Sequence, residues 1–333
     1  MPEARQRDMT FSAYYRKVRF ALGLLFCLSA AAAAAQGYPG RAVRVLVGFP
    51  PGGGTDILAR QLAPRLSEAL GQQFVVENRP GATTNIATDM VAKAPADGYT
   101  LLFTTSALAI NKSLYKNLTY DAERDLAPIS VFAESPNLIV VPQAGAKSVA
   151  ELLAQAKAKP GALNYSSAGA GTSQHLAGEL FKARTGVSIV HIPYKGTAAS
   201  LTAVMANEVQ MSFANVPAII GHVKSGRLRA IAVAGARRSE LVPEVPTMKE
   251  AGVDGVEVPV WYALLAPAAT PREIVNALHG ATARAARAAD MRQRLVEQGA
   301  EPVGNTPEEF ARLLKEEIAK YAEVVRISGA KPE

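Results

Sequence analysis

The stretch Val43-Arg44-Val45-Leu46-Val47, followed by Pro50-Pro51-Gly52-Gly53-Gly54-Thr55 and then by Ile57 to Leu70, decides the fold class. The first five residues are rich in branched apolar side chains and predict a strand. Two prolines and three glycines cannot extend it and mark a turn. Leu58, Leu62, Leu66 and Ala69 then fall on one helical face, and Gly71 suits the position just beyond the helix end. Strand, glycine-rich turn and helix in that order predict an α/β fold.

The same rhythm continues outward. Phe74 to Asn78 reads as a second strand, Asn85 to Lys93 as a helix, and Leu101 to Phe103 as a third strand after the Asp97-Gly98 turn. After a stretch without clear periodicity, Leu138 to Val141 is a strand. Ser148-Val149-Ala150-Glu151 has the capping-box spacing that opens a helix. Strand Leu163 to Ser166, turn Ala168 to Thr172, helix Gln174 to Arg184, strand Ile189 to Pro193, helix Ala199 to Ala206 and strands Gln210 to Phe213 and Leu228 to Val233 repeat the pattern. Tyr262 to Leu265 is a late strand, and helices follow near Pro271 to Ala288 and Pro307 to Val325, the last capped by Thr306. Such alternation predicts parallel sheets with helices on their faces. At 333 residues the chain is long enough for two lobes with separate cores.

Residues 1–35 have the layout of a secretory signal. Arg16, Lys17 and Arg19 are followed by an apolar run from Phe20 to Leu28 and by small residues up to Ala35, the expected cleavage point. The run is shorter than the ~20 residues a bilayer span needs. Cys27 is the only cysteine and lies in this leader, so the mature chain has no thiol chemistry. Phe26 stands where a lipoprotein signal has a small residue, which argues against a lipid anchor at Cys27. Formal charge is +7, of which Arg5, Arg7, Arg16, Lys17 and Arg19 against Glu3 and Asp8 account for +3, leaving +4 in the mature chain. That surplus is scattered, without the basic stripe of a nucleic-acid binder, and favours an anionic ligand.

Enzyme motifs are missing their parts. Four histidines without HExxH spacing and no mature cysteine exclude the common zinc and thiol sites. Pro51 to Asp56 lacks the lysine of a phosphate loop, and its glycines do not match a dinucleotide fingerprint. Ser166 and Ser167 follow a strand and His175 lies nearby, but the context is not a nucleophile elbow. An exported serine hydrolase acting on a small ester stays as the competing reading. A structural or adhesive exported protein, with no small-molecule pocket, is the third.

The two glycine-rich turns offer anion chemistry. Pro51 and the backbone N–H groups of Gly52, Gly53, Gly54 and Thr55 open a helix whose dipole adds about half a positive charge, with Asp56 read as a cap. Ala168, Gly169, Gly171 and Thr172 sit in the equivalent place of the second lobe and add hydroxyls. Either turn alone could be a plain connection; a pair in two lobes suggests a clamped ligand. Thr104, Thr105 and Ser106 end the third strand, where α/β sheets bind ligands. Tyr194-Lys195-Gly196-Thr197 ends another, where the backbone matters more than the lysine charge.

Together these segments resemble the Bug-type periplasmic solute receptors of tripartite tricarboxylate transporters. The likeness rests on Tyr38-Pro39, Phe49 to Asp56, Val76 to Ala82, Ala96 to Thr100, Ile192 to Gly196, Val245-Pro246-Thr247 with Glu250-Ala251-Gly252, and Ala266-Pro267, seven motifs in order. The resemblance implies a type II periplasmic-binding-protein fold: two α/β lobes joined by two crossovers, residues 36–137 plus 258–333 against residues 138–257, with the ligand cleft between them. It implies a monomer without enzymatic activity, cofactor or bound metal, which captures a dicarboxylate, tricarboxylate or aromatic carboxylate for a membrane permease. Carried over by position, the ligand contacts fall on Pro51 to Thr55, Thr104 to Ser106, Ala168 to Thr172 and Tyr194 to Gly196, to which Ser167 and Asn215 are added. The turns at Gly52 to Gly54 and Gly169 to Gly171 are expected to face one another. Two positions depart from the family pattern. Phe213-Ala214-Asn215 stands where many members read Phe-Asp-Asn, implying a ligand without an amino group if that position faces the cleft. Ala87 replaces a frequent glycine and is expected to narrow the backbone approach nearby.

Overall fold

The opening strand, turn and helix form as read, but the helix starts inside the glycines. In the computed structural model, which describes residues 37–332, β1 (Val43–Val47) leads to α1 (Gly54–Leu70), three residues earlier than its apolar period indicates. Gly53 takes the N-cap position. Asp56, third in the helix, reaches back so that its Oδ2 accepts the Gly52 N–H at 3.0 Å. Its cap role is therefore exercised from within the first turn. Gly71 closes the helix in the left-handed region at φ 75°. The leader expected over residues 1–35, with Cys27, lies outside the described residues.

The chain continues through β2 (Phe74–Asn78), α2 (Asn85–Ala92), β3 (Thr100–Thr105), α3 (Ala107–Leu114), β4 (Leu126–Ser135), β5 (Asn137–Pro142) and α4 (Val149–Ala158). Next come β6 (Leu163–Ser167), α5 (Ser173–Thr185), β7 (Ile189–Pro193), α6 (Thr197–Met205), β8 (Met211–Asn215), α7 (Val216–Lys224) and β9 (Leu228–Ala234). The last elements are β10 (Val260–Pro267), α8 (Arg272–Arg287), α9 (Ala289–Glu297), β11 (Glu301–Pro302) and α10 (Pro307–Ser328). Two predicted caps are present: Ser148 accepts the Glu151 N–H, and Thr306 with Glu309 forms a full capping box on α10. The elements missed by periodicity have reasons. Ala107, Leu108, Ala109 and Ile110 of α3 are all buried, so no polar face marks the helix. Pro217 lies in the first turn of α7, where its missing N–H costs nothing.

Strands form two sheets, in the orders β11-β4-β10-β3-β1-β2 and β7-β6-β8-β5-β9. They are mixed rather than parallel throughout. β1 runs parallel to β2 and β3, and β6 parallel to β7 and β8. β10 is antiparallel to β3 and β4, and β5 is antiparallel to β8 and β9. The reversed strands are the two by which the chain changes sheets, after Ser135 and after β9. Each enters its new sheet from the end at which the locally wound strands finish, so it must run the other way.

Nor are the cores separate. One apolar cluster contains Leu46 and Leu102 of the first sheet, Ile139 and Phe213 of the second, and Phe310, Leu314 and Tyr321 of α10. The C-terminal helix packs on α3, β4 and α5, elements belonging to both sheets, and so joins their interiors. A smaller cluster around Leu138, Leu201, Ala214 and Val216 lies on the other side of the second sheet.

Candidate functional site

Helices α1, α5, α6 and α7 each begin where a strand ends, and their first residues meet. A narrow cavity of about 20 Å³ is lined by Phe49, Gly53, Gly54 and Thr55, by Thr105, by Ala168, Thr172, Ser173 and Gln174, and by Thr197, Asn215 and Val260. None of these residues carries a charge. A helix start leaves N–H groups without intrahelical partners and places roughly half a positive charge at that point. Four such ends and the hydroxyls of Thr55, Thr105, Thr172, Ser173 and Thr197 therefore border one neutral, positively polarised space.

Behind the first turn the charges cancel. Asp56 accepts hydrogen bonds from Gly52 N–H at 3.0 Å, Arg60 Nε at 2.9 Å and Asn78 Nδ2 at 2.9 Å. Burial alone would raise its carboxyl, but these bonds outweigh burial and hold it below the usual carboxylate range. Asn78 also donates to the Phe49 carbonyl, pinning the turn to the end of β2. Gly53, Gly54 and Thr55 line the cavity; Pro51 and Gly52 are exposed on the outer side of the turn.

In the second turn the expected amide donors are already engaged. Ala168 N–H bonds Gln174 Oε1 at 2.8 Å, Gly169 N–H bonds Ser167 Oγ at 3.1 Å, and Gly171 N–H bonds His175 Nδ1 at 3.3 Å. Thr172 N–H bonds the Gly169 carbonyl. A turn this tight satisfies its own backbone, so the free donors move on to Ser173 and Gln174 at the helix start. Gln174 is a brace as well: its Nε2 donates to Thr197 Oγ1 at 3.0 Å, tying α5 to α6.

The two turns do not face each other through their glycines. A methyl group on Gly53 would lie 3.7 Å from Thr197 Oγ1, and one on Gly169 would lie 3.1 Å from Thr83 Oγ1. Gly171 sits against Asn111, Leu114 and Tyr115, where a methyl group has no room. Only Ala168 and Thr172 of that turn reach the shared cavity.

The remaining candidates divide. Thr105 lines the cavity, whereas Thr104 and Ser106 are fully buried beside it with hydroxyls that find no partner. Asn215 lines it. Tyr194 and Gly196 do not; Gly196 closes over Pro50, and Thr197 is the residue that arrives. Ala214 lies in the apolar cluster with Leu138 and Val216, on the face of β8 opposite Asn215, so its side chain says nothing about the ligand. Absence of an amino group is argued better from the lining, which has no carboxylate to pair with one. Ala87 is likewise fully buried among Leu46, Val91 and Leu102, away from the cavity wall.

Ser167 and the histidines do not make a hydrolytic pair. Ser167 Oγ is 2.7 Å from His191 Nε2 rather than from His175, and it is fully buried and shared with the Gly169 backbone. His175 and His191 stack at 4.2 Å. Burial, with Lys182 adding to it and Glu179 opposing it, pushes His175 down to about 4. Burial and the neighbouring His175 push His191 down to about 3, far from a useful general base. Their evident work is to hold the turn from below.

Residues 58–329 match the tripartite tricarboxylate transporter family receptor. The chain is 39% identical over 305 residues to Protein BugT of Bordetella pertussis, spanning 91% of this chain and 94% of that protein. Among solved structures, R. palustris Rpa4515 with adipate is 39% identical at a TM-score of 0.86, with 89% of this chain and 100% of that one covered. MatC from Rhodopseudomonas palustris with bound malate is 31% identical at a TM-score of 0.83, covering 86% and 100% respectively.

Proposed function

Because the chain belongs to the tripartite tricarboxylate transporter receptor family, we propose that it is a periplasmic receptor that captures a small carboxylate between its two sheets and hands it to a membrane permease. Residues 1–35 direct export. Residues 36–137 with 258–333 and residues 138–257 act as lobes that part and close about the two places where the chain changes sheets.

The observation that carries this reading is the uncharged cavity at four helix starts. An anion there meets N–H groups of Gly53, Gly54, Thr55, Ser173 and Gln174 and the hydroxyls beside them, with no carboxylate to repel it. Phe49 and Val260 supply apolar wall for the ligand body. The relatives solved with adipate and malate support a small carboxylate as the ligand class.

A thermal-shift screen against mono-, di- and tricarboxylates tests it. A ligand at about a hundred times its dissociation constant adds ~2.7 kcal/mol, or roughly 4 °C for a chain of this size. A flat response to every carboxylate, together with turnover of ester substrates, would replace the receptor with the hydrolase.

A further inference from the structure

The cavity as it stands is smaller than its proposed contents. A space of about 20 Å³ takes a single water, less than any carboxylate occupies. Binding therefore needs an edge of the cavity to part, and the two edges where residues 36–137 meet residues 138–257 are built differently.

At one edge the turn after β1 lies against the turn after β7. A methyl group on Gly196 would lie 3.0 Å from Pro50 Cδ, and one on Gly52 would lie 3.9 Å from Ala198 Cβ. Among the described residues no hydrogen bond joins 50–53 to 194–198. Gly52 and Ala198 are exposed, and the lining residues Gly53 and Thr197 adjoin them in the chain. A few dispersion contacts of this kind part at little cost. At the other edge the turn Gly169 to Gly171 is fastened. The Tyr115 hydroxyl donates to the Ala170 carbonyl at 3.3 Å. Asn111 secures Thr83, the neighbour of Gly169, by donating to its carbonyl at 2.7 Å. Leu114 belongs with Leu176 and Leu180 of α5 to the apolar cluster that joins the two sheets. Parting this edge would break a hydrogen bond and wet that cluster. Resting on the receptor reading above, we propose that the carboxylate enters and leaves between Pro50 and Gly196, while the edge at Tyr115 and Ala170 stays shut as the pivot.

A reversible cross-link tests the route. Cys27 is the only cysteine, so in a Cys27→Ser background only introduced thiols react. The 3.9 Å separation at Gly52 and Ala198 suits a disulfide, whose Cβ atoms lie ~3.5–4.5 Å apart. The Gly52→Cys/Ala198→Cys protein is titrated with adipate, malate and any acid active in the thermal-shift screen. Oxidation with diamide before the acid is added should reduce binding about tenfold or more, because the state that admits ligand is removed, and dithiothreitol should restore it. Oxidation after loading should retain the acid through dialysis until dithiothreitol frees it, whereas a site merely damaged by the bond would lose it. Gly52 has a φ of 85°, which strains a cysteine, so Ala198→Trp is a second variant that wedges the same edge. It should bind about tenfold more weakly and melt near the wild type, and it decides should the double variant not fold. Equal uptake and release by the oxidised and reduced proteins, with the disulfide verified by mass spectrometry, overturns the route and leaves the receptor reading standing. Wild-type affinity in Ala198→Trp does the same. Binding of no acid by the reduced protein and by the wild type removes the receptor reading and the route with it.

Discussion

Gly54→Ala separates binding from folding more cleanly than any other change at the site. The residue begins α1 and its φ is not in the left-handed region, so alanine is compatible with the backbone and favours the helix by up to ~1 kcal/mol. The new methyl group lies 2.5 Å from Asn215 Oδ1, 3.2 Å from Asn215 Cγ and 3.0 Å from the Tyr262 hydroxyl. Relief requires Asn215, a residue of the cavity lining, to shift. Overpacking of this order costs ~1–3 kcal/mol, which falls on the liganded state because the empty cavity can absorb the displaced amide. Losing the ligand contact proposed for Asn215 would add about 1 kcal/mol. The sum is a hundredfold or greater loss of affinity, on the order of 3 kcal/mol. Calorimetric titration of the best carboxylate, alongside a melting curve without ligand, reads both quantities. Wild-type affinity in a normally folded Gly54→Ala protein would refute the placement of the ligand. A melting temperature lowered by more than about 5 °C would show that Gly54 serves the fold instead.

Three further outcomes are expected. The unfolded chain protonates His175 near 6.5 while the folded chain resists until about 4, so its contribution is complete above pH 6.5 and falls away on acidification towards 4. At 1.36 kcal/mol per pH unit that is about 3 kcal/mol, and His175→Asn, which keeps an acceptor for the Gly171 N–H, should flatten the profile of denaturant midpoints over that range; an unchanged slope would contradict it. Gly178→Ala should destabilise by ~1–3 kcal/mol in urea despite better helix propensity, because a methyl group would lie 2.2 Å from Cε2 of the fully buried Tyr165; a stabilised variant would mean that this ring can move. Asp56→Asn loosens the turn that aims Gly53 to Thr55, and about tenfold weaker carboxylate binding is expected by calorimetry, with unaltered binding speaking against that positioning role.

The unit from Val43 to Leu70 was legible because everything that makes it is local: branched residues, breakers, a helical period and a terminal glycine. The same holds for Ser148 and Thr306, whose caps are written within four residues. Ala214 could have been placed correctly too. A strand alternates its faces, so a cleft-facing Asn215 puts residue 214 on the other side. What could not be read was which amides are already spent. Gly171 gives its N–H to His175 and Ala168 to Gln174, and nothing in the spacing of Ala168-Gly169-Ala170-Gly171 announces that the turn satisfies itself. Val260 and Tyr262 were equally out of reach, since they arrive on β10 from a distant part of the chain, where only sheet register sets Tyr262 beside Thr105 and Val260 beside Ser135. The joining of the two sheets' interiors in the larger cluster was hidden for the same reason, because it depends on α10 returning across both sheets.

Holding an anion without a cation has consequences for a receptor that must let go. An arginine in the cavity would bind a carboxylate strongly, but each release would strand a buried, unpaired charge at a cost of several kcal/mol. Helix starts avoid this, since their partial charges are fixed by the backbone whether or not a ligand is present. The fold keeps the charges of Asp56 and Arg60, in the first two turns of α1, paired with each other, where they shape the loop and leave the cavity neutral. Anion affinity from such donors depends little on which carboxylate is offered. Discrimination then has to come from the rest of the lining, from the apolar wall of Phe49 and Val260 and from the Asn215 amide. Substitutions at those three residues should change which acid is preferred, whereas changes at Gly53 to Thr55 or at Ser173 should weaken all acids together.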